Sequence, residues 1–218
     1  QDIIITVPKG GDKKKLLDLS EKNVNHFREE IRKRKMLNLQ DKTADEKIKV
    51  LQQLQKDLQL PAVPLHIECF DNSNFQGSYP VSAVVCFKNG EPSKAEYRRF
   101  KVKTVVGIND FASMTEVVYR RYKRLLDEKK PMPQLIIIDG GKGQLSAAMQ
   151  SITALKLPGT TSVVGLAKNE EEIFFPGDTE SVKLPWDSAS LKLIRSIRDE
   201  VHNYGITYHR NLRSKGTF

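Results

Sequence analysis

Three side chains far apart in this sequence carry the chemistry of a hard-cation site: Asp71, Asp139 and His202. Asp139 closes the unbroken apolar run Leu135-Ile136-Ile137-Ile138, which reads as a strand buried on both faces. Gly140-Gly141-Lys142-Gly143-Gln144 follows, and then the helical pattern Leu145, Ala148, Met149, Ile152 and Leu155. A strand ending in Asp, a Gly-rich turn and a helix put a carboxylate at the carboxyl edge of a sheet, where open α/β folds bind ligands. Asp71 ends an earlier strand-like segment, Ile67-Glu68-Cys69-Phe70-Asp71. If the two strands are parallel neighbours, their carboxylates lie close together, repel, and raise one pKa. A divalent cation removes that cost, and oxygen donors at a partly open site suit Mg²⁺ or Mn²⁺. Such ions can activate a water and stabilise the leaving 3′-oxygen in phosphodiester hydrolysis. Taken singly, each Asp has an ordinary alternative as a turn or helix-cap residue.

His202 lies late in the last helical pattern, with Arg198 one turn earlier on the same face. A neutral imidazole there could supply a third metal ligand. His209, seven residues on, competes on spacing alone. Asp110 precedes a helix and reads either as its N-cap or as an outer metal carboxylate. Four cations are candidates for phosphate contact: Lys142 in the glycine turn, Lys168 after a short apolar strand, and Arg98 and Arg99. Arg98 and Arg99 are adjacent in a strand and project to opposite faces, so at most one can face the site. The glycine turn is not a phosphate loop of the Walker type, because its spacing is wrong.

The elements that must position these groups follow the order β-β-β-α-β-α-β and then a terminal helix. Leu65–Phe70, Val81–Phe87 and Ala95–Val102 read as strands, the last two joined through the hairpin signal Asn89-Gly90. Helical spacing of Phe111, Met114, Val117, Val118, Tyr122 and Leu125 comes next, then strand 135–138 with its helix and the short strand 162–166. Glu172–Phe175 and Val182–Leu184 read as a small polar-edged hairpin or loop region around Pro176-Gly177, and Ser188 caps a helix built on Leu191, Ile194, Ile197 and Val201. The basic tail 208–218 is expected to fray. Three antiparallel strands followed by αβαβ crossovers predict a mixed five-stranded sheet flanked by helices, the order of the ribonuclease H-like fold.

Ahead of this domain, 61–218, residues 1–60 read as a helical arm docked on it. Its first helix carries Leu16, Leu17, Val24, Phe27 and Ile31 and ends in the basic run Arg32-Lys33-Arg34-Lys35. Its second starts at Thr43 with Glu46 in capping-box spacing, and Pro61 and Pro64 follow it. The chain opens on strand-like Ile3-Ile4-Ile5 without Met, as a fragment of a longer protein would. With 36 Lys+Arg against 27 Asp+Glu the net charge is +9, which favours a polyanionic partner, nucleic acid before membrane. The two cysteines, Cys69 and Cys86, fit neither a disulfide framework nor a zinc motif, so a reducing compartment is expected. No signal peptide or transmembrane stretch is visible.

Six stretches occur in a telling order. They are Glu68-Cys69-Phe70-Asp71, Tyr97-Arg98-Arg99-Phe100, Ile138-Asp139-Gly140-Gly141-Lys142-Gly143-Gln144-Leu145, Gly165-Leu166-Ala167-Lys168, Leu184-Pro185 with Asp187-Ser188, and Ile197-Arg198-Asp199-Glu200 with His202 and His209-Arg210. Together they resemble the carboxy-terminal nuclease half of UvrC, the incision subunit of the bacterial nucleotide excision repair nuclease. The resemblance spans about 62–215. It implies a bacterial cytoplasmic, metal-dependent endonuclease domain that makes the cut on the 5′ side of a lesion in double-stranded DNA, in concert with a UvrB–DNA complex. It places the family's Asp-Asp-His triad on Asp71, Asp139 and His202. The family's Gly-Asp-Asp-Tyr-Ala motif reads Gly107-Ile108-Asn109-Asp110-Phe111-Ala112, so its second acid matches Asp110 and its first is Asn109. Where the family often has Asp-Ile-Ser-His, this chain continues Asp71-Asn72-Ser73-Asn74. A competing class is a non-catalytic DNA- or protein-docking module of the same complex; retention of all three triad residues argues against it.

Overall fold

A computed structural model of the chain describes residue 8 and residues 10–40, 43–73, 81–102, 109–167 and 171–215. The opening Ile3–Ile5, Lys168 and most of the family motif's first half, Gly107-Ile108, lie outside the described residues, as do the side chains of the basic run 32–35 and of the tail. The chain forms two compact units, Gln1–Lys42 and Thr43–Phe218. The first contains one long helix, α1 (Gly11–Gln40). Everything that bears on the site belongs to the second.

The second unit begins with α2 (Ala44–Asp57), started by the expected capping box: Thr43 accepts from the Glu46 amide and Glu46 accepts from the Thr43 amide. Its stripe Leu51, Leu54 and Leu58 is buried in the core, and Ser190 donates to Asp57 at 2.6 Å. A boundary at 60/61, as expected from the residues, would leave α2 in the arm. The compact unit instead starts at Thr43, because the apolar face of α2 fills one layer of the domain.

One seven-stranded mixed sheet follows. Its strands are β1 (His66–Ser73), β2 (Val81–Lys88), β3 (Glu91–Pro92), β4 (Arg98–Lys101), β5 (Leu135–Asp139), β6 (Ser162–Ala167) and β7 (Glu172–Phe174). They run β3-β2-β1-β5-β6-β7, and β4 lies along the same edge of β2 as β3. β1 pairs antiparallel with β2 and parallel with β5, and β5 is parallel to β6. The β2–β3 turn holds Asn89 and Gly90 at positive φ, 52° and 81°, as a two-residue primed hairpin turn requires.

Two strands more than five come from identifiable causes. The expected third strand, 95–102, is interrupted: Lys94–Glu96 winds into a 3₁₀ turn, with Ser93 donating to Glu96 at 2.8 Å, so β3 and β4 are separate pieces on one edge. β7 is the first arm of the expected small hairpin; it adds antiparallel to β6, and Ile173 bridges Val182.

Each face of the sheet is covered. α3 (Asp110–Asp127) and α4 (Lys142–Ala154) cover one, meeting Phe70, Val84, Ile136 and Ile138. α2 and α5 (Ala189–Lys215) cover the other, meeting Ile67, Cys69, Ala83, Leu135 and Ile137. β5 is buried on both faces, as its apolar run demands. The Ser188 hydroxyl accepts from the Leu191 amide at the start of α5. The helix then runs through Gly205 to Lys215, longer than the apolar pattern alone indicated.

Candidate metal centre

Strand alternation decides which side chains meet. Ile67, Cys69 and Asp71 of β1 point to the α5 layer, and so do Leu135, Ile137 and Asp139 of β5. The parallel register pairs Phe70 with Ile138, one residue short of the two acids, so both carboxylates leave the same edge side by side. They are 2% and 3% exposed. From above, α5 brings His202, whose Nδ1 lies 3.1 Å from Asp71 Oδ2. Ligand atoms of Asp71, Asp139 and His202 all lie within 4.8 Å of one another. The imidazole is half exposed, so the group opens to solvent on one side. Two buried carboxylates and one accessible imidazole are a donor set that fits Mg²⁺ or Mn²⁺. The Cys69 thiol reads the negative field there: burial, and then the charges of Asp139 and Asp71, hold its pKa well above the ordinary 9.0.

Among the described residues a second group, His66, Glu68 and Cys86, also brings ligand atoms this close. It faces the α3 layer and is buried. Arg121 grips the Glu68 carboxylate through two nitrogens, at 2.5 and 3.1 Å, and the Tyr122 hydroxyl donates to it at 3.1 Å. Burial alone would raise the Glu68 pKa; His66 and Arg121 outweigh it and hold the group below its ordinary 4.5. A guanidinium thus already fills the place a cation would take.

The other sequence candidates part company. Asp110 is not the N-cap of α3; Asn109 is, its side chain accepting from the Ala112 amide at 3.0 Å. The Asp110 carbonyl accepts from Asn72 at 2.9 Å, and Asn72 in turn accepts from Ser82, which fastens the start of α3 beside Asp71. Lys142 donates to the Thr179 carbonyl at 2.5 Å and lies 5.0 Å from the Phe174 ring centre. The glycines beside it serve packing: a Cβ on Gly143 would come within 2.6 Å of the Phe111 ring, and one on Gly165 of β6 within 3.0 Å of the Gly140 carbonyl. Arg98 folds back onto the Ala95 and Tyr97 carbonyls at 2.8 and 2.7 Å, and its register opposite Val84 puts it on the far face. The side chain of His209 lies outside the described residues.

Arg99, opposite Ala83, shares the face of the triad but holds a helix rather than a ligand. Two of its nitrogens donate to the Tyr204 carbonyl, at 2.8 and 3.2 Å, and its guanidinium lies 3.7 Å from the Tyr204 ring centre. Tyr97 packs edge-on against Tyr204 and donates to Glu200 at 3.2 Å. Both contacts fall two residues from His202, so β4 clamps the turn of α5 that carries the imidazole. Removing the clamp with Arg99→Ala is expected to lower Mn²⁺ affinity about 10-fold, as loss of a group that orients a ligand does. Arg99→Lys should recover little, because a single ammonium cannot replace the planar fork. Manganese titration followed by electron paramagnetic resonance checks both.

Glu171 carries no signal of its role in the sequence. It sits at φ +54° between β6 and β7, buried, and takes ion pairs from Arg198 and, at 3.5 Å, from Arg195. Its place in a run of acidic residues gave no sign of burial. Burial works to lower the Arg198 pKa; Glu171, then Asp199 and Asp139, outweigh it and raise it.

Residues 55–206 match the family described as the UvrC RNase H endonuclease domain. The chain belongs to that family. The UvrABC system protein C of Flavobacterium johnsoniae is 55% identical over 215 residues, 99% of this chain and 36% of that protein. The protein of the same name from Cytophaga hutchinsonii is 55% identical over 213 residues, 97% of this chain and 34% of its own length. The chain therefore spans about a third of the curated relatives it matches. Among solved structures, human ENDOV aligns over 80% of this chain and 100% of its own, at 12% identity and a TM-score of 0.42. Membership of the UvrC endonuclease family and the sheet order agree on a ribonuclease H-like endonuclease domain. No helix among the described residues is long and apolar enough to cross a membrane.

Proposed function

We propose that this domain hydrolyses a phosphodiester bond of damaged double-stranded DNA, making the 5′ incision of nucleotide excision repair together with a UvrB–DNA complex in the bacterial cytoplasm. One observation carries the reading: Asp71, Asp139 and His202, up to 131 positions apart, offer ligand atoms within 4.8 Å at one sheet edge. Asp71 and Asp139 would hold Mg²⁺ or Mn²⁺ with His202. A cation held there supplies an activated water and neutralises charge on the leaving oxygen.

The chain's own residues set up that chemistry. β1 and β5 fix both carboxylates rigidly, since each strand is hydrogen-bonded on both sides. α5 sets the imidazole against Asp71, and the β4 clamp keeps it there. Asp110, tied through its carbonyl to Asn72, is assigned an outer role beside Asp71. Lys168 is assigned to the DNA backbone; Lys142, Arg98 and Arg99 each donate to main-chain carbonyls and are assigned to the scaffold.

The histidine tests the assignment most sharply. His202→Ala is expected to abolish the 5′ incision and to weaken Mn²⁺ binding at least about 10-fold, whereas His209→Ala leaves both near the parental level. Strand-specific incision of a lesion-bearing duplex by the full-length protein with its partners reads the first effect. The reverse result would move the third ligand to His209.

A further inference from the structure

Trp186 is the sole tryptophan of the chain and stands in the loop leading into α5, 64% exposed. An indole so exposed gives up burial worth a large share of its side chain, so a second observation on its setting is informative. Its ring does not stand alone: the Arg195 guanidinium lies 4.1 Å from the ring centre. Arg195 is itself fixed by Glu171, at 3.5 Å. Glu171 also pairs with Arg198. The indole is thus tied through Arg195 and Glu171 to Arg198, one helical turn before His202 in α5. Arg195 and His202 lie seven positions apart in α5, about 10 Å at the helical rise. That distance is about three nucleotides of a stacked strand, at ~3.4 Å each.

We propose that Trp186, backed by Arg195, is a stacking platform for an unpaired nucleobase of the strand being cut, a few nucleotides from the scissile phosphate. This deepens the nuclease reading and rests on it. Three features select a base over an apolar protein surface. The ring is planar, exposed, and held in one orientation from behind, so little freedom is lost when a base settles on it. A guanidinium beside an aromatic face suits a ligand that carries both a π-surface and phosphates. And Arg195 and Arg198, though paired with Glu171 and Asp199, put two cations on the stretch of α5 that leads from the indole to His202.

The sole tryptophan makes the test direct. The whole chain is titrated with a dye-labelled single-stranded oligonucleotide of mixed sequence, with Ca²⁺ in place of Mg²⁺. Tryptophan emission is followed alongside dye anisotropy. Emission is expected to be quenched with the midpoint that anisotropy gives. Trp186→Ala should weaken binding about 5- to 100-fold, and Trp186→Phe should recover most of the loss. An abasic strand of equal length keeps the phosphates and removes the bases; on it, Trp186→Ala should have no effect. Unchanged emission while anisotropy reports binding, parental affinity in Trp186→Ala, an equal loss on the abasic strand, no measurable binding, or quenching only when a protein partner is added would each overturn the platform. None of these readouts requires cleavage. A failed platform with Asp71-dependent incision intact removes this inference alone, whereas incision that ignores Asp71 removes the nuclease reading.

Discussion

Replacing Asp139 by asparagine is expected to abolish the 5′ incision while the 3′ incision and DNA binding persist. The two side chains have nearly the same size, and the site is 3% exposed, so the fold has no reason to shift. What changes is charge and donor pattern: an anionic oxygen becomes a neutral amide, which holds a divalent cation beside Asp71 far more weakly. A loss of at least ~10³-fold is expected, roughly 4 kcal/mol of barrier. Asp71→Asn should behave alike, because the two acids leave neighbouring parallel strands and serve one cluster. DNA affinity should hold or rise slightly, since a negative charge has left a phosphate-facing edge. The measurement is strand-specific incision of a lesion-bearing duplex by the full-length protein and its partners, with the 3′ cut as internal control. A 5′ cut at the parental rate would refute the site.

The second large effect is on stability and lies on the opposite face of the sheet. Arg121→Ala leaves Glu68, which is fully buried, without the guanidinium that compensates it. Tyr122 still donates to the carboxylate, and His66 stands 3.4 Å away, but neither replaces a bidentate cation. Breaking one side of a buried pair costs about 3–5 kcal/mol. For a chain of this size that is a fall in Tm of roughly 10 °C. The pH dependence has a definite sign. Glu68 titrates below its ordinary 4.5 in the folded protein, so its contribution is complete above that value and is lost as pH falls through the folded one. The gap between parent and variant should therefore be widest above pH 4.5 and close on acidification, when Glu68 becomes neutral in both. Thermal melts of the two proteins across that range test this; a constant gap would mean that Arg121 acts through packing alone.

The position of α2 bears on how the amino-terminal segment can be probed. Deletion of residues 1–60 would remove Leu51, Leu54 and Leu58 from the core along with α1. A truncation meant to ask what the first unit does must stop at Lys42.

Much of this was legible in the residues themselves. The apolar run before Asp139 announced a strand buried on both faces, and the element order announced the sheet, because burial and alternation are local in sequence. Asn89-Gly90 and Thr43-x-x-Glu46 marked their turn and cap for the same reason: each is satisfied within four residues. The meeting of Asp71, Asp139 and His202 at one edge was open to inference because strand ends and a helix face restrict where such groups can lie. The partners of the long, flexible cations were not legible. Arg99 holds Tyr204, Lys142 holds Thr179, and Glu171 joins Arg195 to Arg198 across gaps of 105, 37, 24 and 27 positions. A guanidinium or ammonium on a long stem takes the nearest carbonyl or carboxylate in space, and only the packed sheet and helices decide which one that is. The layers and the strand ends that carry Asp71 and Asp139 are written locally in the chain, because burial and alternation act between near neighbours; which long charged side chains hold the scaffold is settled only by packing.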